Sequence, residues 1–189
     1  MAIVAITCMV IFVPWILLRA WITPLPDTIQ EQANDAIEYG FDGIIIYVDE
    51  AGKAAEFYTA GWKNRENKIP ADSKALFKIA SISKLYIATA VAKLVNDKTL
   101  SLDKTLAEYL PELSKRIANA EKITLRMLVQ HRSGIPNFTD LSHYPWDNPI
   151  KDNKETLTLI YDMPADFEPN SDYSYSNTNY LLIGEILDK

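Results

Sequence analysis

The sequence has few of the residues that bind metals or form covalent cross-links. Cys8 is the only cysteine, so the chain cannot form an internal disulfide, and no cluster of cysteine and histidine has the spacing of a zinc site. The two histidines, His131 and His143, are well separated, and no paired-carboxylate motif accompanies them. We therefore predict that the protein uses neither a metal nor another cofactor.

Runs of positive charge are also missing. The chain has 19 lysine and arginine residues against 25 aspartate and glutamate residues, which gives a formal net charge of -6. This balance, without any basic run, argues against nucleic acid as a partner. With 189 residues, of which 48% are hydrophobic, the chain is long enough to bury one core.

One long apolar run stands at the N-terminus. Residues 2–18 are almost continuously apolar, and Arg19 and Trp21 follow them. With its flanks, this run is long enough to span a membrane as a hydrophobic helix or to serve as a signal segment. No lysine or arginine precedes it, and no clear small-residue cleavage site follows it. We therefore favour an uncleaved anchor over residues 1–23, with a cleaved signal and a buried core helix as the alternatives.

The segment after the anchor has the patterns of one helix and one β-hairpin. A capping-box pattern that begins at Thr28 predicts a helix over residues 28–39. β-branched and aromatic residues predict strands over residues 43–49 and 54–62, joined by a turn. We therefore expect an α/β fold of the α+β type, in which helices accompany a small antiparallel sheet.

Ser81 and Lys84 lie three positions apart at the start of a predicted helix over residues 81–96. Residues at this spacing share a helix face. A serine becomes a good nucleophile when a neighbouring base takes its proton, and a partly desolvated lysine can lose its charge and help. An apolar stripe predicts that this helix is central and buried, which would desolvate Lys84. The stripe consists of Leu85, Ala88, Ala92 and Val95.

A second pair of reactive side chains, Tyr175 and Asn177, follows near the end of the chain. A phenol whose pKa is lowered by a nearby ammonium can act as a general base. An asparagine amide can hold a substrate carbonyl or amide. An isolated Tyr-Ser-Asn is more typical of an aromatic loop with turn hydrogen bonds, so this pattern gains weight only beside Ser81 and Lys84.

Together and in this order, the two pairs resemble those of the serine β-lactamases and penicillin-binding-protein-like hydrolases, in the branch of class C β-lactamases, D-aminopeptidases and esterases. The resemblance runs from about Gly43 to the C-terminus. It implies a β-lactamase/transpeptidase-like fold with a helical domain and an antiparallel sheet. The matching stretches are residues 77–84, 100–103 with 109–111, 123–136, and 175–177 with 182–186.

The mechanism that the resemblance implies is acyl transfer. Ser81 would attack a carbonyl and form an acyl-enzyme, and its backbone N–H would supply one oxyanion donor. Lys84 and Tyr175 would share the proton handling, and the sequence leaves open which of them is the base. Asn177 would hold the substrate, which is a small molecule or peptide: a β-lactam, a D-amino-acid peptide or an ester. The resemblance also implies an extracytoplasmic location, membrane-anchored or, after cleavage of the N-terminal segment, secreted.

Two features depart from the family pattern. Asn170 stands where relatives usually have glycine, and asparagine is the next most tolerant residue for a positive φ. No Lys-Thr-Gly or His-x-Gly segment, the family's third motif, follows before Lys189. We therefore expect residues 24–189 to be the N-terminal part of a hydrolase domain, C-terminally truncated. An inactive ligand-binding or cell-wall-associated module remains the alternative, and an unrelated membrane-associated interaction protein is a third.

Other residues in this region have simpler interpretations. His131 has no carboxylate spaced to orient it, so we interpret it as structural, and we interpret Asp103 as the N-cap of a helix over residues 104–109. The polar segment over residues 133–155 predicts a long surface loop. Aromatic residues in that loop are candidates for the rim of a binding site. They are Phe138, Tyr144 and Trp146.

Overall fold

The structure, a computed structural model, describes residues 14–189. The chain divides into two compact units, one that ends at Lys78 and one that runs from Ile79 to Lys189. The predicted anchor over residues 1–23 lies mostly in residues 1–13, outside the described residues. In the part that is described, no helix combines the length and the apolar character needed to cross a bilayer.

From residue 14 onward, the first unit has two helices and a three-stranded antiparallel sheet with strand order β1-β2-β3. The predicted hairpin is confirmed, whereas the short third strand was not predicted. The elements are α1 (Trp15–Ile22), α2 (Ile29–Glu38), β1 (Gly43–Val48), β2 (Glu56–Asn64) and β3 (Ile69–Pro70).

The predicted capping box at the start of α2 is confirmed. The Thr28 side chain accepts a hydrogen bond from the N–H of Glu31, and the Glu31 carboxylate accepts one from the N–H of Thr28, both at 3.2 Å. The Gln30 side-chain amide donates to the carbonyl of Thr59 in β2 at 3.0 Å. These contacts fix where α2 begins and how it lies beside the hairpin.

The second unit is helical, apart from one isolated β-bridge between Thr105 and Thr124. Two of its short helices begin at threonine caps, Thr105 and Thr124 themselves. The α-helices are α3 (Ser83–Asn96), α4 (Leu106–Tyr109), α5 (Leu125–Val129), α6 (Asn153–Thr158) and α7 (Asn177–Leu187), and the 3₁₀ turns are Ala80–Ile82, Pro111–Leu113 and Phe138–Asp140.

The core of the second unit forms where α4, α5, α6 and α7 meet. Helix α7 contributes one face with helical spacing, on which Leu182 and Ile183 are fully buried. Burial of such aliphatic side chains is the main favourable term that holds the helices together. The other large, fully buried members are Val91, Leu106, Leu110, Ile123, Leu125, Leu128, Leu157 and Ile160.

The prediction that the helix after Ser81 is central and buried is wrong. In α3 only Val91 is buried, and the Leu85 side chain is 67% exposed. Helix α3 packs against α7 along one side, so half of its predicted stripe stays in solvent. An apolar stripe shows which face suits burial, but it does not supply the partner that covers this face.

Three local predictions for the second unit also need correction. Ser81 lies in the 3₁₀ turn before α3, not in its first α-helical turn. Thr105, not Asp103, caps α4, because the helix begins at Leu106, and the carboxylate of Asp103 pairs with Arg126 at 2.9 Å instead. The predicted surface loop over residues 133–155 begins with four buried residues. The φ of Asn170, by contrast, is +66°, as predicted.

Candidate active site

Ser81 lies at the centre of a tight turn with an unusual backbone. The preceding residue, Ala80, has a φ of +44°, a left-handed conformation that costs energy in any residue with a Cβ atom. The first hydrogen bond of the turn runs from the N–H of Ile82 to the carbonyl of Ile79. The N–H of Ser81 therefore lies ahead of the first bonded N–H of the turn, which is the position of an unused helix-terminal donor.

The structure brings the four predicted site residues together within the second unit. The Ser81 hydroxyl lies 2.7 Å from the phenol oxygen of Tyr175, and Lys84 Nζ lies 3.3 Å from the same hydroxyl. Lys84 Nζ also donates to Asn177 Oδ1 at 2.8 Å. Because 94 residues separate Ser81 from Tyr175, the fold creates this cluster and local sequence spacing does not.

Two backbone hydrogen bonds hold the loop before Tyr175 in place. The N–H groups of Asn170 and Ser174 donate to the carbonyls of Arg132 and His131, at 2.8 and 3.0 Å. Gly134, two residues after Arg132, has a φ of +77°, and an added Cβ would lie 2.1 Å from the carbonyl oxygen of residue 167. Only glycine permits this close approach, which brings the loop before Tyr175 against the turn that follows α5.

His131 contacts Tyr175 directly. Their ring centroids lie 4.6 Å apart, and His131 Nδ1 accepts a hydrogen bond from the N–H of Ser176 at 3.2 Å. Desolvation and the positive charge of Lys84 lower the pKa of His131 below its usual 6.5. The imidazole is therefore neutral near pH 7 and supports the phenol ring, in agreement with its interpretation as structural.

The environment of the Tyr175 phenol favours its ionised form. Desolvation raises the pKa of Tyr175, but hydrogen bonds with Lys84 and Ser81 and the charge of Lys84 lower it, and the net effect is a pKa below the usual 10.0. The side chain is still 40% exposed. A phenolate beside a serine hydroxyl and an ammonium is equipped to accept the serine proton.

The sequence did not single out two further residues that reach the site. Asn177 Nδ2 donates to Thr139 Oγ1 at 3.0 Å, and the N–H of Asn177 donates to Asn137 Oδ1 at 2.9 Å. The only sequence signal was their place just after the matching stretch that ends at residue 136. Neither residue follows a helix or strand period, so a pattern search has no reason to choose them.

The predicted aromatic residues of the loop do form a contiguous cluster. The ring centroids of Phe138 and Tyr144 lie 5.4 Å apart, and those of Tyr144 and Trp146 lie 4.9 Å apart. Phe138 is the neighbour of Thr139 in the chain. Their role as a rim of the site stays a prediction.

Among residues 14–189, no group of His, Cys, Asp and Glu side chains has the arrangement of a metal site.

Comparison with known proteins gives one family and a consistent set of relatives. The sequence matches the family model described as Beta-lactamase over residues 18–189. A penicillin-binding protein of Bacillus subtilis (strain 168) is 26% identical over 155 residues, which is 80% of this chain and 33% of the relative. A beta-lactamase of Psychrobacter immobilis is 29% identical over 164 residues, 86% of this chain and 38% of the relative.

Solved structures have the same fold. The structure of a D-amino acid amidase from Ochrobactrum anthropi SV3, complexed with L-phenylalanine, matches with a TM-score of 0.72 and 30% identity. The match covers 84% of this chain and 43% of the amidase. The chain thus spans between about a third and a half of the length of the relatives that it matches.

Proposed function

The chain belongs to the beta-lactamase family, and we therefore propose that the protein is a serine hydrolase that forms an acyl-enzyme on Ser81. One observation carries the proposal. The hydroxyl of Ser81 lies within hydrogen-bond distance of both Tyr175 Oη and Lys84 Nζ, at 2.7 and 3.3 Å. A nucleophile within reach of a base, beside a third group that orients the base, is the signature of covalent catalysis.

In the proposed reaction, Tyr175 is the base. The Tyr175 phenolate takes the proton of Ser81 as Oγ attacks the substrate carbonyl, and the negative charge moves to the carbonyl oxygen. Collapse of this intermediate breaks the bond to the leaving group, which takes the proton from Tyr175 and departs. A water molecule then gives its proton to Tyr175 and attacks the ester on Ser81, which releases the acid and returns the proton to the serine.

Lys84 and Asn177 have electrostatic roles in this proposal. Lys84 donates to the amide oxygen of Asn177 at 2.8 Å, and its charge favours the phenolate of Tyr175. The Tyr175 phenol oxygen lies closer to the Ser81 hydroxyl than Lys84 Nζ does, and the pKa of Tyr175 is lowered, which is why we assign the base role to Tyr175. The N–H of Ser81 donates to the oxyanion of the intermediate.

The substrate in this proposal is an amide or an ester of a small molecule or short peptide. The support is chemical and comparative: a serine acyl-enzyme needs a carbonyl with a leaving group, and the relatives include a beta-lactamase and a D-amino acid amidase. β-Lactams, D-amino-acid amides or peptides, and esters all meet this requirement.

We also propose that residues 1–23 anchor the protein in a membrane and that residues 24–189 lie on its outer side as part of the hydrolase domain. The apolar sequence of residues 2–18 supports this proposal. The test is fractionation of bacteria that produce the protein with and without residues 1–23. The intact protein is expected with the membranes and the shortened one in the soluble fraction, and the same distribution for both would contradict the anchor.

Labelling with a fluorescent penicillin and, in parallel, a fluorophosphonate tests the hydrolase proposal. A covalent label is expected on the wild type and on Ser83→Ala, which removes an exposed serine two positions from the nucleophile, and no label on Ser81→Ala. Reversible binding of the penicillin without a covalent adduct would instead identify a binding module. Equal labelling of Ser81→Ala would refute the assignment of the nucleophile.

A further inference from the structure

We propose that Thr139 is a positioning residue of this site, because its hydroxyl fixes the orientation in which the amide of Asn177 meets Lys84. The inference rests on the proposed function of Ser81, Lys84 and Tyr175. It adds a residue whose own side chain touches neither the nucleophile nor the base.

The chemistry of the lysine sets the orientation of the amide. An ammonium group has three donors and no acceptor, so the amide oxygen of Asn177, and not its NH₂ group, must face Lys84. Lys84 Nζ lies 2.8 Å from that oxygen and 3.3 Å from Ser81 Oγ. The amide is thus the closer of these two acceptors.

The other end of the amide meets Thr139. With the oxygen on the lysine side, Asn177 Nδ2 points to Thr139 Oγ1, and the two atoms lie 3.0 Å apart. The amide torsion of asparagine is broad and poorly determined by rotamer preference alone. A partner at each end therefore decides the angle at which the oxygen is presented, and both Asn177 and Thr139 are half-buried, which limits replacement by water.

Thr139 is itself held by the fold. It lies inside the 3₁₀ turn Phe138–Asp140, whose first N–H donates to Thr178 Oγ1 at 3.1 Å. Thr178 in turn donates to the carbonyl of Pro136 at 2.7 Å. These bonds attach the turn to the first residues of α7, the helix that begins with Asn177.

Asn137 adds a third attachment. Its side-chain oxygen accepts the N–H of Asn177 at 2.9 Å, whereas the N-cap residue Ser176 makes no side-chain capping bond. Asn137 therefore caps the N-terminus of α7 from a distant part of the chain. The backbone and the side chain of Asn177 are held by residues on either side of Phe138, so the turn is attached to Asn177 at two points.

Loss of the Thr139 hydroxyl is expected to act through Lys84. An amide held at one end swings, the lysine loses its closer acceptor for part of the time, and its ammonium stabilises the Tyr175 phenolate less well. Acylation of Ser81 should then slow, and its pH dependence should move to higher pH, because a less stabilised phenolate forms at higher pH. A purely structural role for Thr139 would lower stability without moving the pH profile.

The test compares Thr139→Val with Thr139→Ser. Valine keeps the shape and removes the hydroxyl, and serine restores the hydroxyl alone. We expect the second-order rate of acylation by a fluorescent penicillin to fall about tenfold in Thr139→Val, which is the effect of one lost hydrogen bond at about 1.4 kcal/mol. The acid limb of its pH profile should shift upward, and Thr139→Ser should stay within about twofold of the wild type. Thr89→Val is the matched control, since the Thr89 hydroxyl donates to the carbonyl of Leu85 within α3.

A second readout needs no activity. In ¹H–¹⁵N spectra, the side-chain amide of Asn177 should shift in Thr139→Val and return toward its wild-type position in Thr139→Ser. If the wild type takes no label, the hydrolase proposal fails while these resonances still test the contact. An unchanged Asn177 amide in Thr139→Val, an unmoved pH profile, or a serine variant as slow as the valine variant would overturn the inference.

Discussion

Replacement of Tyr175 by phenylalanine is the sharpest test of the proposed base. The change removes one oxygen atom, 2.7 Å from the Ser81 hydroxyl, and keeps the ring that lies 4.6 Å from the His131 ring. General-base catalysis contributes roughly 10²- to 10⁴-fold to a rate, which corresponds to about 3 to 5 kcal/mol of barrier. The substitution leaves Lys84 Nζ, which lies 3.3 Å from the Ser81 hydroxyl, unchanged.

We therefore expect Tyr175→Phe to acylate at least about 100-fold more slowly than the wild type. The stability cost should be small, about 1 kcal/mol or less, because the lost group is one hydrogen-bonded hydroxyl on a side chain that is 40% exposed. A large loss of rate with little loss of stability separates a catalytic role from a structural one.

The assay is the rate of fluorescent-penicillin labelling between about pH 5 and pH 10, with urea denaturation of both proteins alongside. A base works only after it has lost its proton, so the wild-type rate should rise with pH. It should level off below the usual phenol pKa of 10.0, because the pKa of Tyr175 is lowered. A Tyr175→Phe rate within about threefold of the wild type, or an unchanged acid limb, would refute the assignment and leave Lys84 as the base.

Three further predictions concern the fold around the site. Ala80→Gly should stabilise the protein by about 1 kcal/mol in urea denaturation. The φ of +44° strains an alanine, and this strain energy exceeds the extra backbone entropy that glycine loses on folding. A loss of stability would show that this turn is not strained. Leu182→Ala should cost about 2 to 5 kcal/mol, because the side chain is fully buried, whereas Leu85→Ala, at a position 67% exposed, should cost less than about 1 kcal/mol; equal costs would show that Leu85 is covered in solution. The lowered pKa of His131 means that the unfolded chain takes up a proton at a higher pH than the folded one. The contribution of neutral His131 to stability is complete above its unfolded pKa of about 6.5 and is lost as the pH falls through its folded pKa. The free energy of unfolding, measured by denaturation at pH 5 and pH 8, should therefore depend less on pH in His131→Gln than in the wild type. An equal pH dependence in both proteins would contradict this origin.

The parts of the fold that follow from local spacing were predictable. The capping box of Thr28 and Glu31 and the pairing of β1 with β2 depend on residues close in the sequence, and both are present. The strand at Ile69–Pro70 was not predictable, because two residues carry no period and proline cannot donate to a ladder. The cap of α4 was misplaced because Asp103 and Thr105 are both residue types that cap helices, and the sequence does not show which of them directly precedes the first helical residue.

The candidate site was predictable through two different kinds of argument. The spacing of Ser81 and Lys84 follows from helix geometry, although the serine lies in a 3₁₀ turn. The meeting of this pair with Tyr175 came from the resemblance to a family, since no local rule joins residues 94 positions apart. The attachment of Asn177 by Thr139 and Asn137 needed coordinates, because single hydrogen bonds between loops leave no periodic trace in a sequence.

Location of the acyl group by mass spectrometry is the decisive experiment on whether Ser81 is the nucleophile and Tyr175 its base. The protein would be mixed with a penicillin, quenched in acid, digested and fragmented, with Ser81→Ala and Tyr175→Phe treated in parallel. We expect an adduct on the Ser81 hydroxyl of the wild type, a much slower appearance of the same adduct in Tyr175→Phe, and none in Ser81→Ala. An adduct on any other residue, with Ser81 unmodified, would contradict this assignment.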